Sequence, residues 1–90
     1  MNGKERAEYR KQANGLNPIF QIGKGDITGN MVDSIDEALE KRELIKLTVL
    51  ETAGVTAKDA AEILSTTLGA EVIQCIGRKF VLFRKKTEDK

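Results

Sequence analysis

Residues Ile22 to Asn30 read IGKGDITGN, with Gly23, Gly25 and Gly29 falling within seven positions and Lys24 between the first two. Glycine lets a backbone take positive φ and lets another chain approach closely. Main-chain N–H groups ahead of a helix, helped by an ammonium group, suit a phosphate. The chemistry on offer is therefore a nucleotide pocket, a grip on a polynucleotide backbone, or no chemistry at all and only a tight turn. A Walker loop needs Gly-Lys-Ser/Thr at its end, and none follows here. A dinucleotide loop needs Gly-x-Gly-x-x-Gly; Thr28 stands where the third glycine should, and Gly29 arrives one place late. Glu51 lies too far on to serve as the ribose-binding carboxylate about 20 residues downstream. Nucleotide binding is set aside. On local sequence, the phosphate grip and the plain turn both stand.

Other chemistries are poorly served. The chain has no histidine and one cysteine, which removes common zinc sites, Ser-His or Cys-His catalysis and an internal disulfide. No nucleophile–base pair presents itself, so no enzyme and no cofactor are expected. Cys75 alternates within an apolar run and reads as a buried, inert thiol. Asp33, Asp36, Glu37 and Glu40 read as a solvated helix face rather than a metal site.

The net charge of +1 conceals an asymmetry. Residues 1–24 hold five Lys/Arg against two Asp/Glu, a net of +3. Residues 25–76 hold four against ten, a net of −6, and residues 77–90 hold six against two, a net of +4. Basic ends around an acidic middle can fold into a dipolar surface with a cationic face for a polyanion. Ninety residues make one small domain, taken as 1–86 with a frayed tail at 87–90. No apolar stretch approaches the ~20 residues that cross a bilayer. The charged N-terminus lacks a signal-peptide core, so a cytoplasmic protein is expected.

The elements that must position these residues follow from periodicity. GKERAEYRKQAN, residues 3–14, predicts a surface helix with a basic side, capped by Gly15 and stopped by Pro18. PIFQIG predicts a first strand. Met31, Val32, Ile35, Ala38 and Leu39 recur at helical spacing, giving a helix over about 30–42 with Asn30 or Thr28 as N-cap. ELIKLTVLE alternates, with Ile45, Leu47 and Val49 on one face and Leu44, Lys46, Thr48 and Leu50 on the other. Thr56 and Asp59 open a third helix closed by Gly69, with Ala60, Ile63, Leu64 and Leu68 as its stripe. EVIQCI and FVLFR are the last two strands, the latter apolar enough to be central. The order is α-β-α-β-α-β-β. Helical crossovers favour parallel strands, and the last pair forms an antiparallel hairpin. The fold class is α/β, a two-layer α+β domain with a four-stranded mixed sheet.

Three pieces, the Pro-apolar-Gly-Lys-Gly run at 18–25, ALEKRELIKL at 38–47 and IGRKFVLFR at 76–84, together resemble the YhbY-like CRM domain (chloroplast RNA splicing and ribosome maturation) in its bacterial single-domain form. The resemblance spans residues 4 to 84 or so. It implies a non-enzymatic RNA-binding domain whose fold resembles the C-terminal domain of translation initiation factor 3. It further implies a role in large-subunit ribosome assembly, with ribosomal RNA as partner. The family's Gly-x-x-Gly loop is compared with the backbone clamp of KH domains. Here Asp26 stands where the second family glycine should, and brings a negative charge to the loop.

The expected interface is one cationic edge. Gly23, Lys24 and Gly25, with Asp26 beside them, would hold phosphate. Lys4, Arg6, Arg10 and Lys11 would extend the track, Arg78, Lys79 and Arg84 would flank it, and Lys46 would be a further contact. Tyr9 is open to either base stacking or packing, and Phe20, Phe80 and Phe83 read as core. Readout would then be by backbone and shape. The competing expectation is a module that docks on a ribosomal or assembly protein. No membrane or small-molecule partner is expected, and the chain is read as a monomer.

Overall fold

A computed structural model describes residues 2–25 and 27–85. Seven elements follow the expected order: α1 (Gly3–Ala13), β1 (Phe20–Ile22), α2 (Gly29–Arg42), β2 (Leu44–Val49), α3 (Ala57–Leu68), β3 (Glu71–Ile76) and β4 (Lys79–Phe83). Asp26 and the tail expected to fray lie outside the described residues. No helix among the described residues is long and apolar enough to cross a membrane.

Each helix begins on a side-chain cap. Asn2 accepts from the Glu5 N–H at 2.8 Å while Glu5 accepts from the Asn2 N–H at 3.3 Å, a reciprocal capping box. Thr28 caps α2 through the Met31 N–H at 3.2 Å, and Thr56 caps α3 through the Asp59 N–H at 3.1 Å. Gly69 ends α3 in the left-handed conformation, φ 65°. Gly15 does not act as the left-handed cap expected of it; α1 ends on Asn14 in right-handed geometry. The passage from α2 to β2 takes a single residue, Glu43, held at φ 65° and ψ −43°.

The strand order is β1-β2-β4-β3. β1 runs parallel to β2, and β4 is antiparallel to both β2 and β3. The central place expected for the last strand is where it lies, and Phe80, Val81 and Leu82 are buried in succession because both sheet faces are covered there.

Two apolar clusters clamp the sheet. On one face Ile22, Ile45, Leu47, Val49, Phe80 and Leu82 meet Ile35 and Leu39 of α2 and Ala57, Ala60, Ala61 and Leu64 of α3. Each fully buried Val, Leu, Ile or Phe side chain here contributes about 1.5–3 kcal/mol, and each alanine less. On the opposite face the cover is smaller: Ala13 and Tyr9 of α1 pack on Ile73, Val81, Leu44 and Phe83. α1 therefore shelters only part of that face.

Two burial expectations are corrected. Ile63, placed in the stripe of α3, is 46% exposed, and Ala57 and Ala61 take the sheet-facing positions instead. Cys75 is exposed. β3 is an edge strand, and its pairing with β4 shifts between Val72 and Gln74, so Ile73 is the residue turned into the core near α1. Residues beyond the bulge have a neighbour strand on one side only.

Candidate nucleic-acid interface

The glycine loop leaves the sheet at the end of β1. Leu50 N–H donates to the Ile22 carbonyl at 2.8 Å, and Val49 N–H donates to the Arg78 carbonyl at 2.7 Å. These two bonds set the glycine loop and the β3–β4 turn on either side of the exit of β2. Gly23 is close-packed: a Cβ there would lie 3.3 Å from Leu50 Cδ1 and 3.6 Å from Thr52 Oγ1. Gly25 has φ +96° with open space around it, and Lys24 beside it is exposed. The loop thus has both properties weighed from sequence. Gly23 serves a tight turn, and Gly25 with Lys24 offers an uncrowded backbone to solvent.

Lys4, Arg10 and Lys11 stand exposed on α1 along one face that also carries Ala7, Glu8 and Asn14. Asn14 belongs as well to a second depression, an open groove of about 660 Å³ on the sheet face that α1 leaves uncovered. Lys46, Arg78 and Lys79 line that groove, and among the described residues no acidic side chain does. Register brings them there. Lys46 pairs with Val81, and Thr48 with Lys79, so both lysines project on the same side of adjacent strands. The basic side of α1 therefore runs through Asn14 into a cationic sheet groove, a continuity that joins residues 4–14, 46 and 78–79.

Arg78 is paired, through Nη2, with Glu51 at 3.1 Å, on a surface where both side chains are largely exposed. Such a pair is weakly held and exchangeable.

Two of the expected contacts are committed elsewhere. Arg6 turns toward the sheet edge, donating to the Val72 carbonyl and lying 3.6 Å from Glu71, which ties α1 to β3. Arg84 donates to Asp36 Oδ1 at 2.7 Å, the Leu68 carbonyl at 3.0 Å, the Asp36 carbonyl at 3.1 Å and Glu40 Oε1 at 3.3 Å. Tyr9 stacks on Phe83 with ring centroids 4.2 Å apart, which answers the open reading of its ring in favour of packing.

Asn14, Thr48, Gln74 and Ile76 share the groove with the cations and were not singled out from sequence. Thr48 and Gln74 carry a faint signal as polar positions in alternating strands. Ile76 carries none, because an apolar residue at a strand end reads as core.

A small mixed-sheet α/β domain with a groove lined by Lys46, Arg78 and Lys79 on the sheet face that α1 only partly covers is the class that fold and site define together. The chain belongs to the CRS1/YhbY (CRM) domain family, whose sequence profile matches residues 1–84. It is 41% identical over 90 residues to YqeI of Bacillus subtilis (strain 168), named a probable RNA-binding protein, covering 100% of this chain and 94% of that one. A Haemophilus influenzae protein named an RNA-binding protein is 28% identical over 90 residues, covering 100% of this chain and 91% of that one. The solution structure of the Staphylococcus aureus protein SAV1595, described as a candidate RNA binding protein, superposes with a TM-score of 0.80 at 43% identity, covering 100% of this chain and 94% of that one.

Proposed function

We propose that this chain is an RNA-binding protein that grips the sugar-phosphate backbone of structured RNA, without catalysis of its own. The observation that carries the reading is the continuity, through Asn14, of the α1 face that bears Lys4, Arg10 and Lys11 beside Glu8 with the groove lined by Lys46, Arg78 and Lys79. The names of its relatives support the same class of ligand. Lys24 and the Gly25 backbone hold a phosphate at the loop, across the exit of β2 from Arg78. Long cationic side chains on a shallow surface recognise charge and shape, and the few aromatic rings are engaged in packing. The RNA is ribosomal, on large-subunit precursors in the cytoplasm, as the resemblance to bacterial single-domain members implies.

The test is binding of large-subunit ribosomal RNA fragments across a salt series, with crosslinking in cells and sequencing of the attached RNA. Affinity falls steeply with salt because phosphate contacts release counterions. A flat salt response, or recovery of random messenger fragments, would defeat the proposal.

A protein-docking reading has one observation in its favour. Ile63 is 46% exposed on α3, in a shallow depression shared with Asp59 and Glu62. That surface suits a basic ribosomal or assembly protein. Charge reversal separates the two readings: Lys24→Glu combined with Arg10→Glu abolishes RNA retention and spares a contact made through α3.

A further inference from the structure

The open half of the sheet face differs in kind from the rest of the cationic track. The outer side of α1 and the glycine loop offer charge and backbone, which suits phosphate alone. The groove beyond Asn14 adds three things that a phosphate path does not need. Ile76 is 68% exposed, an aliphatic side chain presented to solvent at the groove. Gln74 and Asn14 border the same groove, one on β3 and one at the end of α1. Each has a carboxamide, the side-chain group that offers a donor and an acceptor next to each other. Thr48 adds a hydroxyl on the central part of the surface.

The arrangement follows from register. Ile76 pairs with Lys79, Lys79 with Thr48, and Thr48 with Gln21, making one row across the sheet. Gln74 pairs with Val81, and Val81 with Lys46, making the next row. The apolar contact thus sits at one end of a row whose neighbour is an ammonium group, and a carboxamide sits at the end of the adjacent row.

We infer that this groove seats an unpaired RNA nucleotide, with its base lying against Ile76, its polar edge meeting the carboxamides of Asn14 and Gln74, and its flanking phosphates held by Lys46 and Lys79. The inference rests on the RNA-binding reading and adds to it a preference for unpaired over paired nucleotides. A base in a duplex shows neither its face nor its Watson–Crick edge, whereas a bulged or looped base shows both. At about 660 Å³ the groove lies within the range of sites that hold one small organic ligand, roughly 300–1,000 Å³. An aliphatic contact is weaker than aromatic stacking, so the preference is modest and backbone binding still supplies most of the affinity.

The experiment compares a duplex RNA with the same duplex carrying a three-nucleotide bulge, at two salt concentrations, against the full chain and two variants. The wild type binds the bulged RNA about five- to tenfold more tightly. Asn14→Ala combined with Gln74→Ala brings the two RNAs to within about twofold and, since it removes no charge, keeps the salt slope. Lys24→Gln weakens both RNAs alike and keeps the preference. In a second measurement, 4-thiouridine placed in the bulge crosslinks to the segment 74–78. Equal binding of both RNAs by the wild type, an undiminished preference in the double variant, or crosslinks confined to the outer side of α1 would overturn the inference and leave backbone binding standing. Failure of the wild type to bind either RNA would overturn both.

Discussion

Arg84, at the end of β4, donates through Nη1 to the carboxylate of Asp36 in the middle of α2 at 2.7 Å. The same guanidinium reaches the Leu68 carbonyl at the end of α3, so one side chain, 18% exposed, joins three elements. A cation so engaged holds the two helices to the sheet rather than facing a ligand. Arg84→Ala leaves the carboxylates of Asp36 and Glu40 and the carbonyl of Leu68 without this donor. It is expected to lower stability by about 2–4 kcal/mol, read from urea denaturation. RNA affinity measured below the melting transition stays within about twofold; a tenfold loss in the folded variant would show that Arg84 touches RNA.

Lys24 carries the opposite expectation. It is exposed on the glycine loop and makes no ion pair among those found between described residues. Lys24→Gln is expected to leave the melting temperature unchanged and to weaken RNA binding. The slope of log affinity against log salt shrinks by about 1, the signature of one lost phosphate contact. An unchanged slope would remove Lys24 from the interface.

The second and third glycines of the loop separate backbone strain from helix propensity. Gly25 sits at φ +96°, a conformation side chains avoid, so Gly25→Ala is expected to cost about 1–2 kcal/mol and to weaken RNA binding as the loop shifts. Gly29, the first residue of α2, has no positive φ and open space for a Cβ. Gly29→Ala is expected to stabilise by a few tenths of a kcal/mol, up to about 1 kcal/mol, with RNA affinity kept. Thermal melts paired with binding curves check both; equal effects of the two substitutions would refute the distinction.

Arg78 donates to Glu51 at 3.1 Å, so on the proposed RNA path the carboxylate would compete with phosphate for the guanidinium. Glu51→Gln frees the guanidinium and removes a negative charge beside the β3–β4 turn. Binding is expected to tighten about two- to fivefold at low salt, in line with the worth of an exposed pair. The gain fades as salt rises. Weaker or unchanged binding would place Arg78 outside the RNA path.

Glu43 holds φ 65° and ψ −43° because α2 and β2 meet with one residue between them. Its carbonyl accepts from the Arg84 N–H at 2.9 Å and its N–H reaches the Leu39 carbonyl at 2.9 Å, which fixes the conformation from both sides. Glu43→Gly relieves backbone strain worth about 1–3 kcal/mol and loses part of that to the freer unfolded chain. A net gain of about 1 kcal/mol raises the melting temperature by about 4–8 °C. A fall in melting temperature would mean that the Glu43 side chain contributes more than its backbone costs.

What the sequence determined by itself is what depends on near neighbours along the chain. Helix periodicity, the caps at Thr28 and Thr56, the stop at Gly69 and the alternation of Ile45, Leu47 and Val49 were all legible, because each rests on contacts a few residues apart. The central place of FVLFR was legible too, since only a strand covered on both faces tolerates three buried residues in a row. What the tertiary structure alone decided is the use of each cation. Arg6 and Arg84 look no different in sequence from Arg10 and Arg78. The first two point at carbonyls and carboxylates 30 or more residues away for the pairs to Val72 and Asp36, while the second two remain at the surface. Cross-strand register brought Lys46 beside Lys79, and the limited cover from α1 left the apolar Ile76 in solvent. Register and coverage are long-range outcomes of packing, and no local pattern encodes them.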